Sequence, residues 1–124
     1  MSDETVNVRY MVDDVAASVD FYTKHLGFTE TLSSPAFADV RLGRLRLLIS
    51  GPQSSAGRAM ADGEQPTPGG WNRIHLIFDD LDAEIERLRA EGVPFRNDVV
   101  VGPGGSQVLI QDPSGNLIEL FQPA

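Results

Sequence analysis

Val8-Arg9-Tyr10-Met11-Val12-Asp13-Asp14 and Ile74-His75-Leu76-Ile77-Phe78-Asp79-Asp80 decide the fold, because they are one pattern written twice. Each is an apolar segment of strand type that ends in a double aspartate. Each aspartate pair then opens a helical stretch, as short carboxylate side chains do at N-caps. The register that carries Val8 onto Ile74 also superposes the helices beyond the aspartates. Val15, Val19, Tyr22 and Leu26 mark the apolar stripe of an amphipathic helix, and Leu81, Ile85 and Leu88 repeat that spacing. Gly27 and Gly92 close the two helices, where glycine readily takes the left-handed conformation. A short aromatic-bearing strand follows each helix, Phe28-Thr29-Glu30 in one case and Pro94-Phe95-Arg96 in the other. Two further strands complete each half: 36–42 and 45–50 around a Gly43 turn, then 107–111 and 117–121. The joint of the second pair, Asp112-Pro113-Ser114-Gly115-Asn116, carries Pro at i+1 and Gly at i+3 of a type I turn.

The order strand, helix, strand, strand, strand, read twice, predicts one α+β domain over residues 1–124, with module one at 5–50 and module two at 71–123. Between them lies a stretch (51–70) rich in Gly, Ser, Pro and Ala, and longer than most connections in compact domains. It reads as a linker, since two repeats must be joined over a distance; a lid over a site is the alternative. Composition removes several chemistries. The chain has no cysteine, so disulfides, thiolate metal sites and cysteine nucleophiles are excluded. With 18 acidic against 10 basic residues its formal charge is −8, which disfavours attraction to phosphate backbones and makes nucleic acid an unexpected partner. No apolar run reaches the roughly 18 residues of a membrane span, and Met1-Ser2-Asp3-Glu4-Thr5 does not read as a signal peptide. The cytoplasm is the expected location.

Val12-Asp13-Asp14, Ser18, Phe21-Tyr22 and Leu26-Gly27-Phe28 resemble the opening signature of the vicinal oxygen chelate superfamily, the glyoxalase, bleomycin-resistance and extradiol-dioxygenase group. The run from Asp112 through Asn116 to Leu117-Ile118-Glu119-Leu120 resembles its closing signature. The resemblance implies two βαβββ modules whose mixed sheets curl into a U-shaped, half-open barrel. It also implies a tendency to dimerise, here a homodimer, with cavities formed either within one chain or between two. Many members hold a divalent metal with one residue from the first and one from the last strand of each module. Those four positions align here with Asn7, Leu48, Arg73 and Glu119, of which Glu119 is the only retained family ligand. Leu cannot coordinate, Asn is a weak neutral donor, and a guanidinium repels a dication. His75 added to Glu119 still falls short of the three protein ligands usual in a catalytic zinc site. No metal and no other cofactor is therefore expected. Arg73 is expected to stand in the metal's place and grip Glu119 as a two-pronged fork.

Alternation along the four framing strands, two residues to a repeat, predicts a lining of Asn7, Arg9, Met11, Arg46, Leu48, Ser50, Arg73, His75, Ile77, Leu117, Glu119 and Phe121. Val6, Val8, Tyr10 and Val12 are then expected beneath the first helix. The lining has three arginines against one acid, so the predicted ligand is a small anionic or aromatic molecule. Asn7, Arg9, Met11, Arg46, Leu48, Ser50, Arg73, His75 and Phe121 are the candidate binding residues. A superfamily enzyme is the alternative, either metal-dependent through Glu119 or metal-free with Glu119 and His75 as acid and base. An accessory domain with a filled cavity is a third. Arg9 and Arg46 have a competing reading as strand-end charges in solvent. His75 reads first as a structural histidine, and His25 as a charge complementing its helix dipole. Phe21 and Tyr22 read as helix-to-sheet packing. Gly102-Pro103-Gly104-Gly105 lacks the Gly-Lys-Ser/Thr ending and the following helix of a phosphate loop and reads as an ordinary loop.

Overall fold

A computed structural model describes residues 6–124; residues 1–5, which include Thr5 at the expected start of module one and the segment read for a signal peptide, lie outside the described part. β1 (Asn7–Met11), α1 (Val15–Leu26), β2 (Thr29–Ser33), β3 (Phe37–Leu42) and β4 (Leu45–Ser50) form the first module. β5 (Ile74–Ile77), α2 (Leu81–Ala90), β6 (Val100–Gly102), β7 (Gly105–Gln111) and β8 (Leu117–Pro123) repeat the order. Each module folds its strands into one sheet, in the order β1-β4-β3-β2 and β5-β8-β7-β6. The β1–β4 and β5–β8 pairs are parallel and the remaining pairs antiparallel, so both sheets are mixed, and both stay open. The architecture is α+β, two βαβββ modules. No helix among the described residues is long and apolar enough to cross a membrane.

The double aspartates set the helices as their chemistry requires. Asp14 Oδ1 accepts the Ala17 N–H at 3.0 Å and Asp80 Oδ1 accepts the Ala83 N–H at 3.1 Å, which satisfies donors that a helix start leaves over. Under α1 lie Ala38, Val40, Leu47 and Ile49, all fully buried; Val108, Ile110, Ile118 and Leu120 are their counterparts in the second sheet. Burying one such Leu or Ile side chain contributes about 1.5–3 kcal/mol. Tyr10 and Val12 join this core as expected, but Val6 is 63% exposed, because it precedes the strand and no helix reaches it. Pro94-Phe95-Arg96 differs from expectation too. It makes only an isolated bridge, Phe95 to Ile110, and the outer strand of the second sheet is β6 instead. The ladder stops where the Asn97 side chain, Oδ1, takes the Leu109 N–H at 2.9 Å. The glycine run 102–105 is the β6–β7 hairpin. Gly105 has φ +147°, and a Cβ there would lie 2.1 Å from the Gln122 carbonyl oxygen, so β8 passes too close for any side chain.

A seam of polar groups joins the modules. The Ile74 N–H donates to the Tyr10 hydroxyl, which donates to the Leu117 carbonyl, both at 2.7 Å. The Tyr22 hydroxyl donates to Asp112 Oδ2 at 2.8 Å, and Asn116 Nδ2 donates to the Met11 carbonyl at 2.7 Å. Asp13 N–H reaches Ser114 Oγ at 2.9 Å, and the linker joins in through Gly69 N–H, 2.8 Å from Asn116 Oδ1. The Asp112–Asn116 turn thus binds module two to the β1 end and α1 of module one. At the other end of the helices His25 Nδ1 meets Glu91 at 2.6 Å, and Arg87 donates to the His25 carbonyl at 2.8 Å. His25 therefore does more than complement its helix dipole: it ties α1 to α2.

Candidate functional site

The chemistry of the chain collects on the sheet faces turned away from the helices. In the second sheet, His75 of β5 stands beside Glu119 of β8, and Leu109 of β7 lies on the far side of Glu119. Alternation puts Arg73, Ile77, Leu117 and Phe121 on the same face. Glu119 is buried at 7% exposure, and its Oε1 receives both Arg73 Nε at 3.0 Å and Arg73 Nη2 at 2.9 Å. Both nitrogens meet the same oxygen. Oε2 is left to face His75 Nε2 at 3.3 Å. Arg73 is further held by the Trp71 carbonyl, 3.3 Å from Nη1, and the His75 ring lies against Phe121 with centroids 4.6 Å apart. Because Glu119 is nearly dry and Arg73 partly wet, removing one partner costs on the order of 2 kcal/mol, between the values for exposed and buried pairs.

On the first sheet, Arg9 Nη1 donates to Ser50 Oγ at 2.9 Å, and Asn7 and Met11 flank Arg9 on the same face of β1. Arg46 turns sideways: its Nε donates to Asp39 Oδ2 on the neighbouring strand, with Leu48 opposite Asp39. Arg46 is thus not a solvent-seeking strand-end charge. The balance of three arginines against a lone Glu119 is also corrected, since Asp39 is a second acid on these faces, buried at 2% exposure. Continuing the alternation from the four framing strands to β3 and β7 was the signal that would have found Asp39, Arg41 and Leu109.

The remaining predicted lining is brought together only within each sheet. Arg73, His75, Glu119 and Phe121 form one cluster and Arg9, Ser50, Leu48, Arg46 and Asp39 the other. Asn7, Arg9, Arg73 and His75 are exposed, and Ile77 is 65% exposed. A groove of about 700 Å³ lies elsewhere, beside the start of α1, between Asp13–Ala16, the Ser33–Ala36 turn and Gly51–Gln53. Its lining sets the polar side chains of Asp13, Asp14, Ser33, Ser34 and Gln53 among small and apolar groups but offers no basic residue to receive an anion, so the charged sheet faces are the stronger site. A smaller cavity of about 210 Å³ takes Met11 and Ser50 together with the folded linker, Gly57 and 65–68. Among the described residues no three His, Asp or Glu side chains converge on one point.

The model of the Glyoxalase/Bleomycin resistance protein/Dioxygenase superfamily matches residues 5–120. No curated protein is similar enough in sequence to match the chain. Among solved structures, lactoylglutathione lyase from Agrobacterium tumefaciens is 27% identical with a TM-score of 0.72, covering 98% of this chain and 96% of its own. An antibiotic binding protein from Streptomyces sp. CB03234 is 26% identical at a TM-score of 0.75, covering 100% and 99%. A superfamily member from Sphaerobacter thermophilus DSM 20745 is 27% identical at 0.75, covering 94% of each chain.

Proposed function

The chain belongs to the Glyoxalase/Bleomycin resistance protein/Dioxygenase superfamily, and from that premise we propose that it binds a small anionic or aromatic molecule without a metal. The observation that carries the reading is the Arg73 guanidinium seated on Glu119. The four positions that would hold the superfamily's divalent ion, Asn7, Leu48, Arg73 and Glu119, do not fit one. A fixed cation already neutralises their single carboxylate, and a Leu and an Asn supply the rest. A likeness to an antibiotic binding protein supports the binding role. The ligand's anionic group is taken by Arg9, whose guanidinium spends one N–H on Ser50 Oγ, and its apolar body lies over Leu48 on the neighbouring strand.

A homodimer fits this reading. The helix-free faces are open and carry exposed apolar groups such as Ile77, so a second copy laid over them would exclude water from both clusters. Nucleic acid and membranes are not its partners, and it works in the cytoplasm. A metal-free acid–base enzyme is the second reading, favoured by His75 Nε2 standing 3.3 Å from Glu119 Oε2.

Purified protein should contain no stoichiometric zinc, nickel, iron or manganese by elemental analysis. Its melting temperature should rise with biphenyl-4-carboxylate and not with those ions, and the rise should vanish in Arg9→Ala. One tightly held metal per chain, lost in Glu119→Gln, would defeat the proposal.

A further inference from the structure

The first sheet's open face is a grid fixed by its register. One transverse row runs Arg9, Leu48, Asp39, Leu32 across β1, β4, β3 and β2. Asn7, Arg46 and Arg41 form the row beside it, and Met11, Ser50 and Phe37 the other. Arg9 and Asp39 stand two strand spacings apart, about 10 Å between backbones. Their states differ. Arg9 is exposed and bonded once, to Ser50. Asp39 is buried, its Oδ2 is used by Arg46, and its Oδ1 has no hydrogen-bond partner among the described residues.

A buried carboxylate oxygen without a donor is costly and rare. Neutralising Arg46 does not explain it, since Oδ2 alone does that. Nor does Arg41. Its Nε stands 3.6 Å from Oδ1, too far for a hydrogen bond, and its side chain is half exposed, lying over the acid without being fixed there.

We infer that Asp39 Oδ1 is the reading point for an N–H group of the ligand, an amine, amide or amidine, at the opposite end from the anionic or carbonyl group held by Arg9. Leu48 carries the apolar body between them, and Arg41 is the cover that the incoming N–H displaces. This rests on the binding role proposed above and narrows the ligand class: an elongated apolar molecule with an acceptor at one end and a donor at the other. A simple aromatic acid would satisfy only Arg9.

The test is calorimetric titration of the full chain with 4′-(aminomethyl)biphenyl-4-carboxylate and with biphenyl-4-carboxylate, which lacks the donor. Wild-type protein should bind the aminomethyl probe about tenfold more tightly, the worth of one hydrogen bond to a charged group. Asp39→Asn should erase that preference. Arg41→Ala, which keeps the buried acid intact, should tighten the aminomethyl probe alone. Equal affinity of the two probes for wild-type protein, or a preference that survives Asp39→Asn, overturns the assignment of Asp39 while leaving the binding role standing. Dissociation of a dimer by Asp39→Asn would overturn it as well, since the oxygen would then serve a partner copy. If neither probe binds, both the role and the inference fall.

Discussion

Replacing Asp112 by Ala should be among the most damaging single changes in the chain. Asp112 is 3% exposed and its carboxylate accepts four hydrogen bonds: from the Tyr22 hydroxyl at 2.8 Å, Ser114 N at 2.9 Å, Asn116 N at 2.9 Å and Asn116 Nδ2 at 3.0 Å. Ser114 is half-buried and can turn to water, and Asn116 Nδ2 keeps the Met11 carbonyl. Two donors cannot be rescued. The Tyr22 hydroxyl belongs to a fully buried side chain, and Asn116 is 4% exposed. Each orphaned buried donor costs about 1–3 kcal/mol, so the loss should be about 3–5 kcal/mol. Tyr22→Phe removes one bond and leaves Asp112 Oδ2 still served by Asn116, for about 1.5 kcal/mol. In the double variant no hydroxyl is left to orphan, and the two effects should fall short of their sum by about 1–2 kcal/mol. Urea unfolding of the four proteins, followed by far-ultraviolet circular dichroism, measures the cycle. An Asp112→Ala cost below about 1 kcal/mol, or strict additivity, would refute the view that this carboxylate anchors the seam.

Alkaline titration offers a second check, because both tyrosines of the chain lie at the seam. Burial pushes the Tyr10 hydroxyl up to about 12, and burial with the adjacent Asp112 pushes Tyr22 up as well. Their neutral forms are favoured in the fold. The stability they contribute is therefore complete below the free phenol's value of about 10 and declines as pH rises through the native values. Tyrosinate absorbance should stay absent near pH ~10 and appear together with unfolding; independent ionisation of one tyrosine in folded protein would count against the burial described. At the acid end, the His25 bond and then Arg87 hold the Glu91 carboxyl below the usual carboxylate range. That contribution is present above the unfolded value of about 4.3 and lost as pH falls through the lowered native one, so Glu91→Gln should flatten the pH dependence of the urea midpoint in that window.

Much of the fold was legible because it depends on local patterns. The apolar stripes, the capping aspartates Asp14 and Asp80 and the turn glycines each specify an element within a few residues of themselves. The exceptions depended on pairing between strands. Residues 94–96 have strand composition, yet the Asn97 side chain ends their pairing and transfers the edge to Val100–Gly102. The site was legible to the extent that alternation reaches. Counting by twos along β1, β4, β5 and β8 names Arg9, Leu48, His75 and Glu119, but only cross-strand register places Asp39 beside Leu48. The roles of Asp112 and Asn116 were out of reach, since their partners Tyr22 and Met11 lie about a hundred residues away in sequence and only the packed molecule brings them together.

The seam has a bearing on how the two halves relate to each other. In the register of the repeat, Tyr10 corresponds to Leu76 and Tyr22 to Leu88. The hydroxyls belong to the first half alone, and the groups that receive them, the Leu117 carbonyl and the Asp112 carboxylate, belong to the second. A chain made of two first halves would bury tyrosine hydroxyls without these acceptors, and one made of two second halves would leave the acceptors without their hydroxyls. The duplication visible in the sequence has thus become a division of labour: the halves still look alike, but they are no longer interchangeable.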